Sequence, residues 1–266
     1  MVQEATIEVN GIELFYRQAG DGTPLLLLHG FFNSSEQWLP YLDDLTADFR
    51  VIVPDMRGHG RSTNPSGKFT HRQYAHDGYA LLDALEITSF RAVGYASGGM
   101  TLLHLATQQP HRIEAMSLWG AAPYLPEQCR ANQRRASFEQ VQHDSPKWLD
   151  GIRKQHPGGD HQIRILMQNY RTMGDTYDDM NFTPDHLSTI TAPTQILHGD
   201  RDALFPIDIP ITLYQAIPNA SLMILPNTPY SLFENLLRFW GFEESYPPTS
   251  QTPFPPIVRR FLLDSN

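Results

Sequence analysis

The sequence predicts an α/β protein: a mostly parallel, doubly wound sheet with helices on both faces. Two observations carry this. Six short apolar runs, PLLLLHG, RVIVPD, FRAVGY, IEAMSLWG, TQILHGD and SLMILP, recur along the 266 residues and read as strands buried on both faces. Between several of them lie stretches such as HRQYAHDGYALLDALEI and GGMTLLHLATQQP, whose apolar residues return every three or four positions, as helices packed on a sheet require. Strand and helix in alternation give parallel neighbours joined by right-handed crossovers.

Ahead of this series, TIEVN and IELFY alternate apolar and polar residues and are split by Asn10-Gly11, so the chain is expected to open with an antiparallel hairpin. The region from about Leu125 to Ile190 has no aliphatic strand run, is rich in Arg, Gln, His and Asp, and scatters aromatics such as Phe138, Trp148, Tyr170 and Tyr177. It is expected to be an inserted helical lid, 125–190, over a core built from 1–124 and 191–266; an ordinary helical excursion with no gating role is the alternative. Near the carboxyl end, ESYPPTSQTPFPPIV is proline-dense, hence an extended loop before a final helix around Ile257 to Leu263.

Length and a hydrophobic content of 41% suit one domain with a substantial core. A net charge of −9 and a pI near 5.6 argue against nucleic acid or an anionic membrane as partner, because both are polyanions that need a basic face. A small-molecule substrate or ligand fits better, on a monomer or homodimer. The single cysteine, Cys129, can form no intrachain disulfide and no paired-thiol metal site, which points to a reducing compartment. MVQEATIEVNG is polar, with no basic stretch leading into an apolar run, and the longest aliphatic run, Leu25 to Leu28, is far too short to span a bilayer. The expectation is a soluble, cytoplasmic protein. No histidine has metal-ligand spacing with partners, so neither metal nor cofactor is implied.

The chemistry concentrates after FRAVGY, where Gly94-Tyr95-Ala96-Ser97-Gly98-Gly99 leads into a helix. Strand, sharp turn and helix form the setting of a nucleophile elbow, whose central residue takes a strained conformation that only small flanking residues accommodate. The central residue is Ala96. With the His29-Gly30 turn, the Asp55-Met56-Arg57-Gly58-His59-Gly60-Arg61-Ser62 segment and Gly199-Asp200-Arg201-Asp202, the chain resembles the α/β-hydrolase fold superfamily over nearly its whole length. The resemblance implies serine-hydrolase-like chemistry, yet Ala96 stands where the family carries its nucleophile, normally Ser and occasionally Cys or Asp. It implies Asp202 as the acid of a triad, with Asp200 structural, and it places Tyr230, within PNTPYSLFEN, where the family's histidine belongs. A phenol with an ordinary pKa near 10 is a poor general base at neutral pH. Ser97 carries a hydroxyl one residue on, but helical neighbours diverge by about 100°, so its main implied role is a backbone N–H. With the N–H of Phe31 it would make an oxyanion hole. His29, His59 and His104 read first as satisfied structural histidines. His143, His156 and His161 reach the pocket only if the lid folds over it. Phe32, Trp38, Tyr95, Trp119, Tyr124 and Phe205, like Phe31, fall near strand ends and are expected to line a pocket for a hydrophobic or aromatic ligand; several are equally readable as core.

Three readings of function follow. The first is an ester or carbon–carbon bond hydrolase of a small hydrophobic or aromatic carbonyl compound, its triad disabled at Ala96 and Tyr230. The second is a non-hydrolytic enzyme, a lyase, cyclase or proton-transfer catalyst, in the same pocket. The third is a ligand-binding pseudo-hydrolase. The first ranks highest, because the surrounding motifs remain hydrolase-like in detail.

Overall fold

The computed structural model describes residues 1–228 and 254–265. Eight strands form one sheet: β1 (Gln3–Val9), β2 (Ile12–Ala19), β3 (Thr23–Leu28), β4 (Phe49–Pro54), β5 (Phe90–Tyr95), β6 (Ile113–Trp119), β7 (Thr194–Gly199) and β8 (Ala220–Leu225). Their spatial order is β1-β2-β4-β3-β5-β6-β7-β8. The first two strands are antiparallel, and β2 meets β4 antiparallel; every later pair is parallel. The β1–β2 turn forms because Asn10 and Gly11 both take positive φ, 47° and 71°, which matches the twist of a two-residue hairpin.

Alternation along each strand builds two cores. Leu26 and Leu28 of β3 pack with Ile52, Ala92, Met116 and Leu118 on one face. Leu25 and Leu27 pack with Val51, Val53, Val93 and Trp119 on the other. The helices that cover these faces follow in chain order: α1 (Leu42–Leu45), α2 (His71–Ala84), α3 (Ser97–Gln108), α4 (Glu127–Arg135), α5 (Phe138–Asp144), α6 (Pro146–Gln155), α7 (Gly159–Met173), α8 (Pro184–Ser188), α9 (Asp208–Ala216) and α10 (Phe254–Asp264). Helices α4 to α8 all lie between β6 and β7, in the stretch without strand runs. The last helix begins at Phe254, earlier than Ile257. The Pro pair that follows it occupies the first turn, where missing N–H groups would have no intrahelical partner. The proline-dense stretch before it, from 229 to 253, lies outside the described residues.

Strand order reverses between β3 and β5, so the loops after these two strands open side by side. Ligand sites in open α/β sheets form in such crevices, outside the carboxyl ends of the strands. Gly30-Phe31-Phe32 follows β3 there, and Ala96 follows β5.

Candidate active site

Ala96 takes φ 52° and ψ −116°, a combination costly for any residue with a Cβ. The turn is held from both sides: Ala96 N–H donates to Trp119 O at 2.9 Å, and its carbonyl accepts from Met100 N–H at 2.9 Å. Glycines permit the close approach. A Cβ on Gly98 would stand 2.2 Å from Leu28 O, and one on Gly94 would stand 2.5 Å from Gly99 N. The neighbouring loop is strained too, since Phe32 has φ 65°.

Above this turn lies a narrow, partly open cavity. Gly30, Phe31, Phe32, Tyr95, Ala96, Ser97 and Met100 form its floor; Leu204 and Phe205 close one side. Leu125, Cys129, Gln133, Tyr170 and Met173, from the segment between β6 and β7, form the roof. Phe31 and Phe32 tie floor to roof through ring contacts with Tyr170, at centroid distances of 5.3 and 5.1 Å. The free space is about 40 Å³, enough for a few waters at roughly 10–15 Å³ each. A ligand of even a dozen atoms therefore requires lining side chains or the roof to move. Among the described residues, no hydrogen bond engages the backbone N–H of Phe31 or of Ser97.

The aromatic positions divide. Phe31, Phe32, Tyr95 and Phe205 line the cavity. Trp38, Trp119 and Tyr124, expected near the pocket, are not among the residues that line this cavity. Trp38 and Trp119 are buried in the Leu25–Leu27 layer, where alternation on β6 turns the Trp119 side chain. Tyr124 is 37% exposed and pairs through its backbone with Asn181.

Asp202 lies buried after β7. Its Oδ1 accepts from Leu204 N–H and Phe205 N–H, both at 2.8 Å, whereas Oδ2 has no hydrogen-bond partner among the described residues. His198 Nε2 stands 3.3 Å from Oδ2 but donates to Phe205 O at 2.7 Å. Burial pushes the Asp202 carboxyl up to about 7, against the two backbone donors that favour the anion. Asp200 accepts from Thr228 N–H at 3.0 Å and so fixes the loop after β8. Tyr230 lies outside the described residues. The sequence contains no histidine after His198, so no other register of that turn supplies an imidazole.

The remaining histidines are mostly structural. His29 Nε2 accepts from Met56 N–H at 2.9 Å, which leaves the proton on Nδ1 to donate to Gly30 O at 2.8 Å; burial lowers its pKa to about 4. His104 donates to Asp179 O at 2.8 Å. His156 is buried beside His59, with ring centroids 6.0 Å apart, while His143 is exposed and paired with Asp144. His161 borders a surface groove away from the cavity. Among the described residues no group of three His, Cys, Asp or Glu side chains is placed to hold a metal ion.

Two residues that sequence reasoning missed approach the elbow. His71 Nε2 lies 3.2 Å from Ser97 Oγ, and its Nδ1 lies 2.7 Å from Asp179 Oδ2. His71 stands at a helix start with no motif around it, and Asp179 is 108 positions away. The one available signal was chemical: a hydroxyl beside the elbow and a chain with no histidine after the acid.

Comparison with known proteins agrees with the geometry. A model of the alpha/beta hydrolase fold matches residues 23–153, about half of the chain. The human serine hydrolase BPHL is 28% identical over 253 residues, covering 90% of this chain and 82% of its own. The 2-hydroxymuconate semialdehyde hydrolase of Pseudomonas putida is 28% identical over 231 residues, covering 77% of this chain and 79% of its own. In overall shape the chain is similar to a serine-to-alanine mutant of a meta-cleavage product hydrolase from Pseudomonas fluorescens IP01, complexed with acetates, with a TM-score of 0.76 at 20% identity over 98% of both chains. No helix among the described residues is long and apolar enough to cross a membrane. Sheet order, elbow and relatives that are named hydrolases together place the chain in the α/β-hydrolase superfamily.

Proposed function

We propose that the chain is a hydrolase-class protein that takes a small hydrophobic or aromatic carbonyl compound, an ester or a carbon–carbon bond substrate, in the cavity over Ala96. Phe31 N–H and Ser97 N–H act as its oxyanion hole, since backbone donors do not depend on the missing side chains. Any hydrolysis it performs does not use the elbow position, because alanine has no nucleophilic atom, and does not use the Asp202 carboxyl as orienter of an imidazole. The observation that carries the reading is the elbow itself: its strain is retained at Ala96, beneath a cavity whose walls are aromatic and aliphatic. The 125–190 segment acts as a lid; what supports this is that Leu125, Cys129, Gln133, Tyr170 and Met173, all from it, roof the narrow cavity.

The test is thermal. At a hundredfold excess over Kd, a bound aromatic carboxylate or ester contributes about 2.7 kcal/mol, a rise of roughly 5 °C for a chain of this size. That rise is expected with benzoate-like acids and not with aliphatic amines; an unmoved midpoint across the whole panel would refute the proposal. In parallel, Ala96→Ser combined with Tyr230→His is expected to hydrolyse p-nitrophenyl esters faster than the parent, and Ala96→Ser alone is not.

A further inference from the structure

A hydrogen-bonded file of three buried side chains ends on the cavity floor. Ser97 opens α3, His71 opens α2, and Asp179 sits between α7 and α8. Asp179 fixes the ring. Its Oδ2 accepts from His71 Nδ1 at 2.7 Å and from His71 N–H at 2.8 Å, and its Oδ1 accepts from Arg72 N–H at 3.1 Å. Burial pushes the Asp179 carboxyl up, but the His71 charge and hydrogen bond, with the two backbone donors, outweigh it and hold the group below the usual carboxylate range. With Nδ1 donating to Asp179, the tautomer that leaves a lone pair on Nε2 turns it toward the Ser97 hydroxyl, 3.2 Å away. That is the tautomer a general base needs. His104, which also meets Asp179, is pushed by burial to a pKa of about 4 and stays neutral, so it brings no competing charge.

We propose that Ser97, His71 and Asp179 form a relocated acyl-transfer relay, one residue past the elbow. Ser97 is its nucleophile, His71 its base and Asp179 a positioning residue; the substrate is an ester of a small hydrophobic or aromatic acid. The proposal rests on the reading that the cavity takes such compounds. Ser97 lines that cavity, and Ala96 beside it presents only a methyl group. In the first step Ser97 Oγ bonds to the ester carbonyl carbon while its proton passes to His71 Nε2. The carbon–oxygen bond to the alcohol then breaks, and the leaving oxygen takes that proton. Water attacks the acyl-serine, gives a proton to His71, and the acid departs as Ser97 recovers it. No oxidant, reductant or metal enters.

A merely structural role, with Ser97 satisfying a buried imidazole, makes a different prediction for covalent reagents. Incubating the whole chain with an aryl-free alkyl fluorophosphonate and mapping the peptides by mass spectrometry reads this directly. The expected result is one phosphonyl group per chain, on Ser97, absent in Ser97→Ala and formed about 100-fold or more slowly in His71→Gln. If His71→Gln fails to fold, the map of the unaltered chain still decides. No adduct, or an adduct on another residue, overturns the relay. The parallel melting curve with an aromatic carboxylate separates the two readings: a raised midpoint without an adduct leaves the binding reading standing and removes the relay. An adduct on Ser97 that no aromatic carboxylate slows supports the relay and removes the aromatic ligand.

Discussion

At Ala96 the backbone carries strain whose purpose in hydrolases is to present a nucleophile, and the residue has none to present. Ala96→Gly releases the strain, typically about 1–3 kcal/mol, at a cost of about 0.4–1 kcal/mol in unfolded-chain entropy. The expected outcome is a net gain of about 1 kcal/mol in a urea denaturation series; a loss would mean that the buried methyl matters more than the dihedral. Asp202 is the second such residue. Its folded pKa of about 7 exceeds its ordinary 3.8, so the folded state holds a proton that the unfolded chain releases. Stability from this group is therefore greatest near pH 4 and falls as pH rises through 7. Asp202→Asn, which cannot ionise, is expected to gain on the parent by roughly 1–3 kcal/mol between pH 5 and 8, measured as paired denaturation midpoints. Both residues were legible in the sequence because each sits in a local motif. His71 and Asp179 were not, since only the packing of α2 against α3 and the chain beyond α7 brings them to Ser97.

Among the elements, the strands were the easiest to read, because alternation such as Leu25 to Leu28 is decided by the two cores they fill. The aromatic lining was harder. A Trp at the end of β6 lies near the cavity in sequence pattern alone, and Trp119 packs in the Leu25–Leu27 layer without lining the cavity. The helices between β6 and β7 are tied by Arg130, buried, which donates to Leu125 O at 3.0 Å, Met173 O at 3.2 Å and Thr176 O at 2.9 Å. Arg130→Leu leaves these carbonyls unpaired and is expected to cost about 2–4 kcal/mol, concentrated in this layer. Hydrogen exchange should quicken over 127–176 while β5 and β6 keep their protection. Uniform quickening across the sheet would mean that the helices and the core unfold as one unit.

Over the whole molecule, several histidines are buried and neutral: His29 and His104 titrate near 4, and burial also lowers His59, His156 and His198. The unfolded chain takes up their protons below about 6.5, so stability is lost as pH falls from there toward 4, opposite in sign to Asp202 and larger in number of groups. A melting series is expected to fall steadily below pH 6, and a flat profile would contradict the burial of these rings. The fold holds a strained turn and a largely apolar cavity together at one crevice of the sheet. The most direct measurement is a crystal structure of the chain with a benzoate-like acid. The carboxylate is expected over Ala96, within hydrogen-bonding distance of Phe31 N–H and Ser97 N–H, with its ring between Phe32, Tyr170 and Phe205. A ligand bound elsewhere, with that cavity still closed, would contradict it.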